Sequence, residues 1–280
     1  MSGIRVVTDS ACDLLDQTLT ELHIGLVPLR IRFGDEELID RDELSTKQFW
    51  ARCADSPVLP ATAAPSPGQF QAAFEAMADE GADGVVCVNL SSKMSATIES
   101  ARQAARALEG RFPVRVVDSR SVTLGLGLVV TEAAGAAAGG ASIDEVEAVA
   151  ERAAGRMKLY GAIDTLENLK KGGRIGGARA LLGSMLSIKP VIEVRDGVVE
   201  EESKQRTRSR SLRYLADKAR AAGPVSRLAV FSADAPDLGE FLTLLEGVEP
   251  TEGSTLFGDV GPVIGTHAGR GAIGVAWIPA

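Results

Sequence analysis

Apolar positions along the first half of the chain come in short runs, each followed by a stretch with helical spacing. Ile4–Val7 predicts a strand and Cys12–Leu22 a helix. Ile24–Phe33 reads as extended, with a turn at Gly34-Asp35 and a return strand over Glu37–Asp40. Helices are expected over Ser45–Ala54 and Ser66–Gly81, a strand over Val85–Leu90 and a helix over Ala96–Gly110. A strand over Val114–Val117 precedes helices over Thr123–Gly139 and Ile143–Leu159. Strand and helix alternating at this spacing imply a parallel sheet with helices on its faces.

The rhythm changes in the second half. Tyr160–Ile163 predicts a strand, and Thr165–Lys171 and Gly177–Ile188 predict helices. "PVIEVRDGVVEEE" is two β-runs around Asp196-Gly197, a strong hairpin signal. A helix over Ser209–Ala222, a strand over Arg227–Phe231, a helix over Ala235–Gly247 and strands over Ser254–Gly258 and "GAIGVAWIP" follow. The expected fold class is α/β. Residues 1–160 are expected to form a parallel-sheet α/β domain, and residues 161–280 an α+β domain. The crevice between two such domains is the default place for a small-molecule ligand.

Composition narrows the function. Apolar residues are 45% of the 280, enough for a substantial core, and the formal net charge is −8. No basic segment opens or closes the chain and aromatics do not interleave with Arg, so nucleic acid is a poor candidate partner. An acidic chain does not attract anions at long range, so an anion site would have to be built locally. Cys12, Cys53 and Cys87 form no C-x-x-C pair and read as reduced thiols in the cytosol. With only His23 and His267, a zinc site is not expected, and no cofactor is implied. "MSGIRVVTDSACDL" lacks a signal-peptide pattern. The Gly-rich stretch Val122–Ala141 carries Glu132 and reads as a buried helix rather than a membrane span, which points to a cytoplasmic protein.

Polar residues gather where strands hand over to helices. Ser91, Ser92 and Ser95 follow the Val85–Leu90 strand, where ligands bind in open parallel sheets. Hydroxyls beside the free N–H groups of a helix start suit a carboxylate or phosphate, and they equally suit a plain helix cap. Thr8, Asp9 and Ser10, and Asp118 and Ser119, share that ambiguity. Thr62 lies in the Pro-rich loop "PATAAPSPGQF". In "LKKGGRIGG" four glycines surround Arg174, whose fork of donors matches a carboxylate or phosphate. "KQRTRSRSLR" reads either as a solvated helix start or as a docking patch for an acidic partner. His267 lies in the Gly-rich "IGTHAGRGAIG", either reaching a ligand or satisfied within a turn.

These pieces, in this order, resemble the DegV family of bacterial fatty-acid-binding proteins. "TDSACDL", "TAAPS", "SSKMSATIESA", "VVDSRSVTLGLG", "DTLENLKKGGRIGGARALLGSMLSIKP", "KQRTR" and "GTHAGRGAIG" carry the resemblance over nearly the whole chain. It implies one long-chain fatty acid in an apolar tunnel between the two domains. Thr62 and Ser95 would hold its carboxylate, with His267 near the head group and Ser92 and Arg174 as further ligand-side residues. It also implies presentation of the acid to a separate fatty-acid kinase that makes acyl phosphate, with Arg174, Lys204, Arg206 and Arg208 on the docking surface. The chain would then be a lipid-binding protein rather than an enzyme. Ala63-Ala64, Ala96 and Arg270 depart from the family's usual Ser-Gln, Gly and Pro. Two rivals stand beside this reading. One is a serine-type acyl hydrolase using Ser95, His267 and Asp9 or Asp118, although no G-x-S-x-G elbow is present. The other is a phosphate- or sugar-phosphate-binding phosphotransferase subunit, although no P-loop occurs.

Overall fold

The computed structural model of the chain describes residues 3–56, 58–180 and 188–280. Strands β1 (Ile4–Asp9), β2 (Ile24–Val27), β6 (Gly84–Asn89) and β7 (Val114–Asp118) form one sheet in the order β2-β1-β6-β7, parallel throughout. β6 is buried along its whole length, as expected of a central parallel strand covered on both faces. One face packs on α3 (Pro67–Asp79) and α4 (Thr97–Ala107) through Phe70, Phe74, Ala101 and Ala104. Against the other lie α5 (Thr123–Ala138) and α6 (Ile143–Arg156).

The second large sheet has the order β10-β9-β8-β13-β11-β12. Its strands are β8 (Lys158–Ala162), β9 (Lys189–Arg195), β10 (Val198–Gln205), β11 (Val225–Ser232), β12 (Leu256–Asp259) and β13 (Ile273–Pro279). Only β11 and β12 pair in parallel. Its outer face packs on α8 (Arg208–Ala221) and α9 (Leu238–Leu244). α5 touches β1 and β6 of the first sheet and β11 and β13 of the second, so this Gly-rich helix is the layer between them. Its glycines permit that: a Cβ on Gly125 would stand 2.6 Å from Leu159 Cδ1, and one on Gly127 would stand 3.0 Å from the Cys12 carbonyl. The main apolar cluster runs through both halves.

Several expectations are corrected. The extended run Ile24–Phe33 is two strands in two sheets, because Pro28 supplies no N–H to continue a ladder. Its second part is β3 (Arg30–Phe33), which pairs with β4 (Glu36–Ile39) and β5 (Ala61–Ala63) in a small antiparallel sheet. The Pro-rich loop therefore contains a strand, and Thr62 sits on it opposite Ile31. The expected helix over Cys12–Leu22 is broken where Asp13 takes a left-handed conformation (φ 52°), leaving a short 3-10 turn and α1 (Asp16–Glu21). α2 (Thr46–Asp55) and α7 (Glu167–Lys171) fall where expected. Of the helix expected over Gly177–Ile188, residues 176–180 form a 3-10 turn and 181–187 lie outside the described residues. The "GTH" segment belongs to a helix, α10 (Pro262–Ala268), which packs on α2, α7, β3 and β5. No helix among the described residues is long and apolar enough to cross a membrane.

Candidate functional site

Four of the expected site residues meet at one pocket. Thr62, Ser95, Arg174 and His267 line it together with Leu29, Leu90, Leu159, Ile163, Ile192, Phe231, Val260 and Val263. The segment that follows β6, the small sheet, the second sheet and α10 each contribute walls. Apart from Thr123, the polar side chains on this wall are those four among the described residues, so the pocket is a greasy space with a polar corner.

The corner is tied together by hydrogen bonds. Thr62 Oγ1 lies 3.1 Å from His267 Nε2. The Ser95 hydroxyl is 2.9 Å from Thr97 Oγ1 and accepts the Thr97 backbone N–H at 3.2 Å, so it stands at the start of α4. α4 has no side-chain cap at Ala96, which leaves other first-turn N–H groups without such a partner. Arg174 donates through Nε to the Met94 carbonyl at 3.0 Å and through Nη1 to Gly172 at 2.6 Å. One guanidinium thus joins the glycine loop to the turn that carries Ser95.

The glycine loop explains itself around this corner. The His267 ring lies over Gly172, where a Cβ would overlap Nδ1. Gly176 has a φ of 50° and passes tightly against the Val199 backbone, a combination only glycine accepts readily. His267 is pushed down to about 4 by burial first and by the nearby Arg174 charge second. It is therefore neutral at physiological pH. Its Nδ1 is buried without a hydrogen-bond partner among the described residues.

Other candidates are placed elsewhere. Ser92 is exposed, does not line the pocket, and gives its backbone N–H to Asp118 Oδ1 at 3.3 Å. Asp9 is fully buried and accepts from Ala11 N, Asn89 Nδ2 and Leu90 N, clamping the carboxyl ends of β1 and β6. Burial pushes its carboxyl up to about 6. Arg208 is committed inside the fold. It forms a two-bond pair with Asp237 (2.8 and 3.0 Å) and also donates to the carbonyls of Ala162 and Gly271. These contacts engage the guanidinium of Arg208, expected on a docking surface, within the fold. Lys204 pairs with Glu201 at 3.3 Å on β10, and Arg206 is exposed with no ion pair among the described residues. No hydrogen bond joins Ser95 to His267, and neither Asp9 nor Asp118 reaches the imidazole, so a nucleophile–base–orienter chain is not assembled.

Two further contacts brace the site, one from Ser91, already a strand-end candidate, and one from Asp13, which the sequence did not single out. Ser91 is buried and donates to the Gly197 carbonyl at 2.7 Å, docking the tip of the β9–β10 hairpin onto the first sheet's rim. Asp13 Oδ1 accepts the Gly261 N–H at 3.1 Å and so holds the start of α10, the helix that carries His267. Neither partner is near in sequence, and no local pattern announces such a contact.

The DegV family model, described as an uncharacterised protein family, matches residues 3–280. The chain belongs to the DegV family. A DegV domain-containing protein of Streptomyces coelicolor is 36% identical over 275 residues, covering 97% of each chain. Among solved structures, a DegV-family protein of Thermus thermophilus described by its fatty-acid binding superposes with a TM-score of 0.90 at 31% identity, covering 99% of this chain and 100% of that one. DegV of Bacillus subtilis, described as a fatty-acid-binding protein, superposes with a TM-score of 0.83 at 28% identity over 99% of both chains. The polar corner of this chain is built from β5, the turn before α4, the glycine loop after α7 and α10.

Proposed function

We propose that this DegV-family chain binds one long-chain fatty acid in the apolar pocket and holds its carboxylate at the polar corner. The observation that carries the reading is the meeting of Thr62, Ser95, Arg174 and His267 on a wall whose other described residues, Thr123 apart, are apolar. The similarity to the Thermus and Bacillus fatty-acid-binding proteins supports it. Thr62 and Ser95 donate hydroxyl protons to the carboxylate oxygens, charge-assisted bonds of about 1.5–3 kcal/mol each. A neutral His267 with its proton on Nε2 donates to Thr62 Oγ1, which leaves the Thr62 hydroxyl proton free for the ligand. That tautomer also leaves Nδ1 a bare acceptor against Gly172 instead of a buried orphan N–H. Arg174 supplies the positive charge. The alkyl chain follows the apolar wall, where each methylene withdrawn from water contributes about 0.8 kcal/mol before ordering costs.

The finer reading is a carrier that presents the acid to a fatty-acid kinase, with the change of domain near residue 160. Arg174 on the pocket wall and the exposed Lys204 and Arg206 provide cationic side chains for that partner. Three free cysteines suit a reducing, cytoplasmic setting. Native mass spectrometry of the purified protein is the direct test: a retained mass in the fatty-acid range is expected. A protein that arrives empty and takes up no palmitate in titration defeats the reading. For the partner, Arg206→Ala is expected to leave fatty-acid affinity unchanged while slowing acyl-phosphate formation a few-fold to about tenfold. An unchanged rate removes Arg206 from the docking surface.

A further inference from the structure

One cross-strand row of the second sheet holds a glycine whose missing side chain no packing among the described residues requires. In register across four strands lie Ile192 (β9), Gly161 (β8), Gly274 (β13) and Phe231 (β11). Directly opposite residues on neighbouring strands share a face, so all four point toward the pocket side. The two glycines have different causes. A Cβ on Gly274 would overlap the Phe231 ring, so packing within the protein demands that glycine. A Cβ on Gly161 would meet nothing closer than Ile192 Cγ1 and the Ile273 carbonyl, both at 3.7 Å, which is ordinary contact. Gly161 is not among the residues of positive φ, so the backbone does not demand glycine either. A strand glycine without a side chain to pack weakens its strand, and it often marks the close approach of a ligand. Gly161, Ile192 and Phe231 all line the pocket.

We infer that Gly161 keeps open the space through which the bound acyl chain crosses the sheet, and so sets the chain bulk this protein accepts. The inference rests on the fatty-acid reading above. The row holds no polar side chain, so hydrocarbon rather than the carboxylate fills that space. A side chain added at Gly161 takes the place of ligand methylenes without disturbing the protein's own packing.

The test compares wild type, Gly161→Ala and Gly161→Val, each delipidated, by thermal melting and by titration with octanoate, laurate, palmitate, stearate and oleate. The lipid-free variants are expected to melt at or above the wild-type temperature. Affinity is expected to fall in the order wild type, Ala, Val, by about tenfold or more for Val with palmitate and stearate, and less for octanoate. Equal affinities in all three proteins, or a loss identical for every acid, overturn the assignment. A lipid-free Gly161→Ala protein that melts below wild type overturns it too, since protein packing would then account for the glycine. Wild type that binds none of the acids defeats the fatty-acid reading itself, a result distinct from wild type binding with unaffected variants.

Discussion

Thr62 and His267 are 205 positions apart in sequence and share one hydrogen bond, and at this scale the head-group chemistry can be tested one side chain at a time. Thr62→Ala combined with Ser95→Ala removes both hydroxyl donors. It is expected to weaken palmitate binding about 100-fold or more, with little change in melting temperature, because both side chains are part-buried at a cavity wall. Equal affinity in the double variant would reject the assignment of the carboxylate site. His267, held down to about 4 by burial and by Arg174, is expected to keep neutral imidazole chemical shifts in lipid-free protein from pH 8 to about pH 5. A titration midpoint near its ordinary 6.5 would mean a hydrated ring that does not order Thr62.

At the scale of elements, α5 decides the shape of the pocket from behind, since it is wedged between the two large sheets. A helical Gly→Ala change is ordinarily stabilising by up to about 1 kcal/mol. At Gly125 the sign reverses, because the new methyl meets Leu159 Cδ1 at 2.6 Å and also the Ser121 hydroxyl. Gly125→Ala is therefore expected to destabilise by about 1–3 kcal/mol in denaturant unfolding; a more stable variant would show that the two sheets stand further apart. Elements were the most legible level in the sequence. The parallel first sheet, the Asp196-Gly197 hairpin and α8 follow from periodicity and turn chemistry, which are local. β5 and α10 were not legible, and they carry Thr62 and His267. β5 is three residues flanked by prolines and exists only because β3 offers it a ladder. α10 is seven residues with two glycine neighbours, stabilised by the Asp13 contact at its start rather than by propensity.

For the molecule as a whole, buried carboxyls set the pH response. Burial raises Asp9 and Asp40 to about 6 and Asp13 to about 7, from an ordinary 3.8. Between about pH 4 and 7 the folded chain therefore holds protons that the unfolded chain has lost, and stability falls as pH rises through that window. His267 acts oppositely: depressed to about 4 from 6.5, it makes the unfolded chain the better proton binder, so its contribution grows with pH over about 4 to 6.5. Three groups oppose one, and the melting temperature is expected to be higher at pH 5 than at pH 8. Asp13→Asn keeps an oxygen for the Gly261 N–H and is expected to raise the melting temperature at pH 8 and flatten its pH dependence. A melting temperature that rises steadily from pH 5 to pH 8 would contradict the burial of these carboxyls.

The order of polar motifs along the chain was enough, without coordinates, to identify the family resemblance, because residue type and local spacing carry a motif, and that resemblance put Thr62, Ser95, Arg174 and His267 among the candidates. Which of the polar residues face the pocket was decided by tertiary structure. Ser92 and Arg208 look as suitable in sequence as Ser95 and Arg174, yet one faces solvent and the other clamps Asp237. The reason is physical: a hydroxyl or guanidinium has the same chemistry anywhere, and its partner is chosen by chain segments as much as 248 residues away, as Asp13 and Gly261 are. Gly161 belongs to the same class, since only the strands on either side of it reveal that its missing side chain leaves a space.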